Sequence, residues 1–157
     1  MVMAELTAQQ VRTWLQAVKD PEIPVISIED LGVLQDVIVS AEEVVVHIIP
    51  TYSGCPAMYA IQEDIRKTLA AHGLPKVRIE LLNSPAWNTD MISAKGRAAM
   101  KLYGIAPPVT ASQSTVACPQ CGSEHTTCIS QFGSTACKAL YRCETCLEPF
   151  DYFKCHA

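Results

Sequence analysis

Five cysteines in this chain stand where their spacing gives them chemistry to do. Cys118-Pro119-Gln120-Cys121 and Cys143-Glu144-Thr145-Cys146 are two C-x-x-C pairs separated by 21 residues. Each pair can fold as a knuckle that offers two sulfurs, and four thiolates suit a tetrahedral zinc site. The spacing puts zinc ahead of an iron–sulfur cluster at Cys118, Cys121, Cys143 and Cys146. The fifth, Cys55, lies in Pro50-Thr51-Tyr52-Ser53-Gly54-Cys55-Pro56-Ala57. Pro56 suits the first position of a helix, where its missing N–H costs nothing, so Cys55 falls at the N-cap. A thiol there faces unpaired backbone N–H groups and the positive end of the helix dipole, and both favour thiolate. The competing reading is a small buried cysteine that fills a turn. Cys128, Cys137 and Cys155 are left over, with His125 and His156 nearby. Cys128 and Cys137 read as packing and His156 as a surface residue without a role; the sharper alternative makes Cys137 and Cys155 a second thiol site, or partners that exchange with a zinc ligand.

The elements that must position these groups follow from periodicity. Val44 to Ile49 is a short β-branched run and reads as a strand leading into the Cys55 turn. Met58, Ile61, Ile65, Leu69 and His72 recur every three to four residues, the stripe of an amphipathic helix closed by Gly73. Upstream, Leu6 to Lys19 is a helix with Thr7 and Gln10 as a capping box. Asp20-Pro21 stops it, and two acidic loops follow, Asp20-Pro21-Glu22-Ile23-Pro24 and Ile28-Glu29-Asp30-Leu31-Gly32. Val33 to Val39 pairs with Val44 to Ile49 through a hairpin at Ser40–Glu43. Val77, Ile79 and Leu81 alternate with Arg78 and Glu80 in a half-buried third strand. Along its strand, His47 reads as a packed histidine and not a ligand. Ser93 to Tyr103 is a last helix before Gly104.

The order α-β-β-α-β-α predicts a small three-stranded α/β (α+β) domain over residues 1–105. Residues 106–117, rich in proline and small polar residues, read as a linker. Residues 118–157 carry three short strands, Thr126–Gln131, Ala136–Arg142 and Glu148–Lys154, between and after the C-x-x-C pairs. Those are the parts of a metal-stabilised β zinc ribbon, a module too small to fold on its apolar core alone.

Composition limits the function classes. The 157 residues are 49% hydrophobic and 18% charged, with a net charge of −4, which fits a globular protein without a nucleic-acid footprint. No apolar run approaches membrane-spanning length, and the N-terminus lacks the pattern of a signal peptide. The expectation is a cytoplasmic protein whose cysteines bind metal or react and do not form disulfides. No di-iron glutamate/histidine motif or other catalytic constellation appears, so no catalytic residue is assigned.

Four segments, Asp20–Pro24, Ile28–Gly32, Thr51–Pro56 and Trp87-Asn88-Thr89-Asp90-Met91-Ile92-Ser93, resemble in order and spacing the family of SufT-like iron–sulfur assembly factors. The resemblance covers about residues 7 to 103. It implies that Cys55 is the functional thiol, and that Asp20, Glu22, Asp30 and Thr51 line its pocket; Asp30 is equally readable as a structural cap. With the ribbon, Phe132–Cys143 and Pro149–Cys155 extend the resemblance over nearly the whole chain, to the PaaD (PaaJ) family found with bacterial phenylacetate degradation. That resemblance implies a maturation factor for the metal centre of a phenylacetyl-CoA epoxidase. The ribbon would dock the client while Cys55 carries iron or an iron–sulfur cluster transiently. The reductase component, with its flavin and iron–sulfur cluster, is the preferred partner over the di-iron oxygenase. The alternative is a non-catalytic structural or regulatory subunit of the same complex, and homo-oligomerisation is left open. A thiol redox enzyme ranks last, because Cys55 lacks a C-x-x-C partner.

Overall fold

The computed structural model describes residues 5–52, 54–74, 76–109 and 115–154. The chain divides into two compact units, 1–87 and 88–157.

In the first unit, helix α1 (Ala8–Leu15) opens on the expected capping box. Thr7 accepts from the Gln10 N–H, and the Gln10 side chain accepts from the Thr7 N–H at 3.0 Å. Val11 and Leu15 are fully buried, while Trp14 stacks flat on His72 with ring centroids 4.2 Å apart. A single helical turn, α2 (Ile28–Leu31), starts at Ser27, which caps the Asp30 N–H, and ends at Gly32 with φ 87°. That positive φ explains the glycine of the D-L-G loop.

Strand β1 (Leu34–Val39) pairs antiparallel with β2 (Val44–Ile48) through the Ser40–Glu43 turn, with a bulge between Leu34 and Asp36. Helix α3 (Ala57–Ala71) then crosses over to β3 (Val77–Leu81), which lies parallel to β2. The sheet order β1-β2-β3 makes β2 central, and four of its five residues are buried. Met58, Ile61, Ile65 and Leu69, the stripe read from the sequence, are buried on α3. His47 is half-buried, its Nε2 lying 2.9 Å from Glu80 on the neighbouring strand.

The second unit begins with a 3-10 turn at Thr89–Met91 and helix α4 (Ala94–Tyr103), capped by Ser93 and ended by Gly104 at φ 94°. Strand β4 (Ile105–Ala106) follows immediately and pairs parallel with β7 (Pro149–Phe153). β7 pairs with β6 (Lys138–Cys143) and β6 with β5 (Thr126–Ser130), both antiparallel, giving the order β4-β7-β6-β5. The first residue of the expected linker, Ala106, is therefore sheet: with Ile105 before it, it is buried as an edge strand. The last helix groups with residues 88–157, so the compact units divide ahead of it and not after it. Residues 110–114 of the expected linker, and Cys155 and His156, lie outside the described residues.

Candidate metal centre and thiol turn

The two C-x-x-C pairs fold as matched knuckles. In the first, the Cys118 N–H donates to the Ser123 carbonyl (2.9 Å), and the Gly122 N–H donates to the Cys118 carbonyl (2.9 Å). In the second, the Cys143 N–H donates to the Glu148 carbonyl (3.0 Å), and the Leu147 N–H donates to the Cys143 carbonyl (3.0 Å). Each leading sulfur also accepts a backbone N–H at 3.4 Å, from Gln120 at Cys118 and from Cys146 at Cys143. The residue after each second cysteine takes a positive φ, 78° at Gly122 and 68° at Leu147. Glycine does this freely, but a leucine there is strained by about 1–2 kcal/mol. The knuckle geometry holds it in place.

The four sulfurs lie within 4.8 Å of one another. Cys118 and Cys146 are 3.7 Å apart, and Cys121 and Cys143 are 3.6 Å apart. A metal with bonds to sulfur of about 2.3 Å in a tetrahedron spaces its sulfurs by about 3.8 Å. The donor set and the spacing fit such an ion. Cys118 and Cys143 are fully buried and belong to the apolar core of the ribbon with Ala106, Val116 and Phe150, whereas Cys121 and Cys146 are exposed. The Cys143 thiol is lowered to about 6, first by the Cys146 N–H that points at its sulfur. At Cys146 the Glu148 N–H favours thiolate, yet desolvation and the neighbouring sulfurs push the thiol up to about 12. A cation among the four sulfurs would let all of them ionise together.

Cys55 sits elsewhere, in the turn between β2 and α3. Gly54 supplies a φ of 77°, and the Cys55 N–H donates to the Tyr52 carbonyl at 3.2 Å. The helix cap is Pro56, in the helical region at φ −68° and ψ −20°, and no side chain caps the helix start. Cys55 thus precedes the cap by one residue, contrary to the sequence-based placement. The reason is proline itself: its fixed φ already follows the helix, so the turn begins at the Cys55 carbonyl, which accepts from Met58 at 3.2 Å. The Cys55 side chain is 8% exposed, and Thr51 Oγ1 lies 3.9 Å from its sulfur. Thr51, one of the pocket residues expected from the sequence, therefore stands beside the thiol.

Two of the acidic groups hold bonds within their own loops. Asp20 is buried, and its Oδ1 accepts from the Glu22 and Ile23 N–H groups at 2.8 and 2.9 Å. Asp30 Oδ2 accepts from the Ser27 hydroxyl at 3.1 Å, while the Asp30 N–H donates back to Ser27 Oγ. Ser27 is the cap of this turn, and the Asp30 carboxylate supports it from the third helical position. Glu22 is half-buried. Sequence reasoning gave Trp87 no contact, yet its buried indole donates to the Leu31 carbonyl at 2.9 Å and pins the D-L-G loop. An open cleft of about 760 Å³ lies at the hairpin end of β2, lined by Val39, Glu42, Glu43, Leu74 and Lys76 among others. That is the opposite end of β2 from Cys55, and neither Cys55 nor any of the expected pocket residues lines it.

Known proteins share both halves of this arrangement. Residues 106–154 match the PaaD zinc beta ribbon domain, and residues 8–81 match the iron–sulfur cluster assembly protein family. An Escherichia coli (strain K12) protein named as one of the subunits of a 1,2-phenylacetyl-CoA epoxidase is 48% identical over 146 residues, 90% of this chain and 88% of that one. The chain belongs to the PaaD family. The first unit has relatives outside PaaD proteins. An Fe-S protein maturation auxiliary factor of Porphyromonas gingivalis (strain ATCC BAA-308 / W83) is 40% identical over 89 residues, 55% of this chain and 84% of that one. The solved domain of unknown function DUF59 from Bacillus anthracis superposes with a TM-score of 0.56 at 25% identity, covering 59% of this chain and 90% of that one. A conserved hypothetical protein from Thermotoga maritima shares the fold, with a TM-score of 0.53 at 24% identity over 62% of this chain and 96% of that one. The PaaD chain therefore joins an iron–sulfur-assembly-type α/β domain to a ribbon with a four-cysteine cluster. No helix among the described residues is long and apolar enough to cross a membrane.

Proposed function

We infer that this PaaD protein helps install the metal centre of a phenylacetyl-CoA epoxidase component, with the iron–sulfur cluster of the reductase as its preferred client over the di-iron oxygenase. The observation that carries the reading is the union, in one chain, of an iron–sulfur assembly domain and a ribbon of the PaaD type. It is supported by the name of the E. coli relative and by that of the maturation factor that resembles the first unit. Cys118, Cys121, Cys143 and Cys146 would hold zinc, whose role is structural: it ties two knuckles together and stabilises a small β module. Cys55 is the thiol that holds iron or a cluster in passing, with Thr51 beside it, and Asp20, Glu22 and Asp30 are the further candidates for its pocket. One sulfur leaves most coordination positions to other ligands, so the metal is held weakly enough to pass on. Because the thiol is 8% exposed, delivery requires the Gly54 turn to open.

The burial of Cys55 also favours a second reading, in which the thiol only packs the turn and the chain is a structural subunit of the epoxidase. The two separate cleanly. Epoxidase components are expressed with and without this chain, and iron, acid-labile sulfide and flavin are measured on the purified reductase. Retained flavin with a depleted cluster supports maturation. A fully loaded reductase and an iron-replete oxygenase that still need this chain in the assay would establish a working subunit instead.

A further inference from the structure

We propose that the outer edge of β3 is a self-pairing surface, on which a second copy of this chain adds its own β3 antiparallel to form a continuous six-stranded sheet. The proposal is independent of any role for Cys55.

Exposed strand edges invite pairing, and proteins blunt those they do not use. Among the described strands the other edges are blunted. β1 carries a bulge between Leu34 and Asp36, and Arg12 covers it by donating to the Gln35 carbonyl at 2.9 Å. β5 has a bulge between Cys128 and Ser130, and β4 is two residues long. β3 is five residues long and runs in unbroken register with β2. No strand among the described residues pairs with its far side.

The backbone on that side is set for antiparallel pairing. The Lys76 carbonyl accepts from Val44 and the Leu82 N–H donates to Ile48, so the even-numbered residues face β2. The N–H and C=O groups of Val77, Ile79 and Leu81 consequently point outward. A two-fold axis through Ile79 would make Ile79 opposite Ile79 and Val77 opposite Leu81 hydrogen-bonded pairs, which satisfies all three outward residues at once.

The side chains fit the same axis. Val77-Arg78-Ile79-Glu80-Leu81 reads alike in both directions by chemical type, apart from the sign of its charges. The dyad places Arg78 of each copy opposite Glu80 of the other, in the closely spaced pair where cross-strand charges attract. Both have room to respond, with side chains 57% and 38% exposed. On the other face, Leu81 is 47% exposed for a large apolar residue, and it would cover Val77 of the second copy. A parallel or shifted pairing loses these matches. Within one chain, Glu80 already takes Arg78 and His47, and Arg78 takes Glu43, so pairing adds to an existing charge row.

The test is analytical ultracentrifugation of the full chain at low and high micromolar concentration. The wild type should sediment as a reversible dimer. Arg78→Glu and Glu80→Arg should each weaken association about tenfold or more, because two attractive pairs become repulsive. The double variant Arg78→Glu/Glu80→Arg should recover the dimer, since each pair is again opposite in sign. Should either single variant fail to fold, amide exchange on the wild type decides the matter: the Val77, Ile79 and Leu81 amides should be protected at high concentration and exchange freely on dilution. A chain that is monomeric at all concentrations, a dimer unaffected by both single variants, or exchange of these amides that does not depend on concentration would overturn the proposal.

Discussion

Removing the metal from the ribbon should unfold residues 115–154 and leave the α/β unit intact. The perturbation is a strong chelator at neutral pH, or Cys143→Ser. A structural zinc of this kind is worth about 10–16 kcal/mol of folding free energy. Whole small domains are stable by about 5–15 kcal/mol, so the module has nothing comparable to fall back on. Its apolar core points the same way, because two of its five buried members, Cys118 and Cys143, are themselves in the sulfur cluster. Cys143→Ser adds a further cost of about 1–3 kcal/mol, since it leaves a hydroxyl in a fully buried position. The assay is region-resolved hydrogen exchange with zinc counted in parallel. Protection should vanish across β5, β6 and β7 and persist in β2 and α3. It should also vanish at Ile105–Ala106, because β7 is the strand with which β4 pairs. A chelated chain that keeps protection in β6 and β7 would refute the reasoning, as would protein isolated with iron and sulfide in place of zinc.

Other expectations are as specific. Acid should release the metal as its thiolate ligands regain their protons, and a zinc-release titration run beside amide exchange should show β5, β6 and β7 losing protection together with the metal. Asp20→Ala removes the acceptor of two backbone N–H groups and should cost about 2 kcal/mol in denaturant unfolding, with Asp20→Asn milder; an unchanged midpoint would return Asp20 to a purely functional role. Trp87→Phe should cost about 1–3 kcal/mol by orphaning the Leu31 carbonyl. Leu147→Gly relieves a left-handed strain of about 1–2 kcal/mol against about 0.5–1 kcal/mol of added chain entropy, so the ribbon should melt no earlier than the wild type.

The cysteine cluster was legible in the sequence because C-x-x-C spacing encodes a local knuckle, and two knuckles need only meet. The capping box at Thr7 and the buried stripe of α3 were legible for the same reason: their signals lie within one or two turns of chain. What escaped is long-range or depends on a single dihedral. Cys55 was placed on the helix cap, whereas the helical φ and ψ of Pro56 move that cap one residue on. Two apolar residues, Ile105 and Ala106, carry no periodicity of their own, and only pairing with β7, far along the chain, makes them a strand. The bonds that Asp20 makes to its loop backbone and Asp30 to Ser27 depend on the turn of each loop, which composition does not give. The indole of Trp87 reaches Leu31 across 56 positions, and nothing local announces it.

The central claim is that Cys55 acts in maturation and the ribbon does not substitute for it. The direct measurement is the iron and sulfide content of the epoxidase reductase co-produced with wild-type chain, with Cys55→Ser, or with no chain. Region-resolved exchange on the variant confirms that the Cys55 turn still folds. The account predicts that Cys55→Ser leaves the reductase as cluster-poor as no chain at all, with flavin retained. A reductase fully loaded in the presence of Cys55→Ser, and empty without the chain, would contradict it and assign the function to other residues.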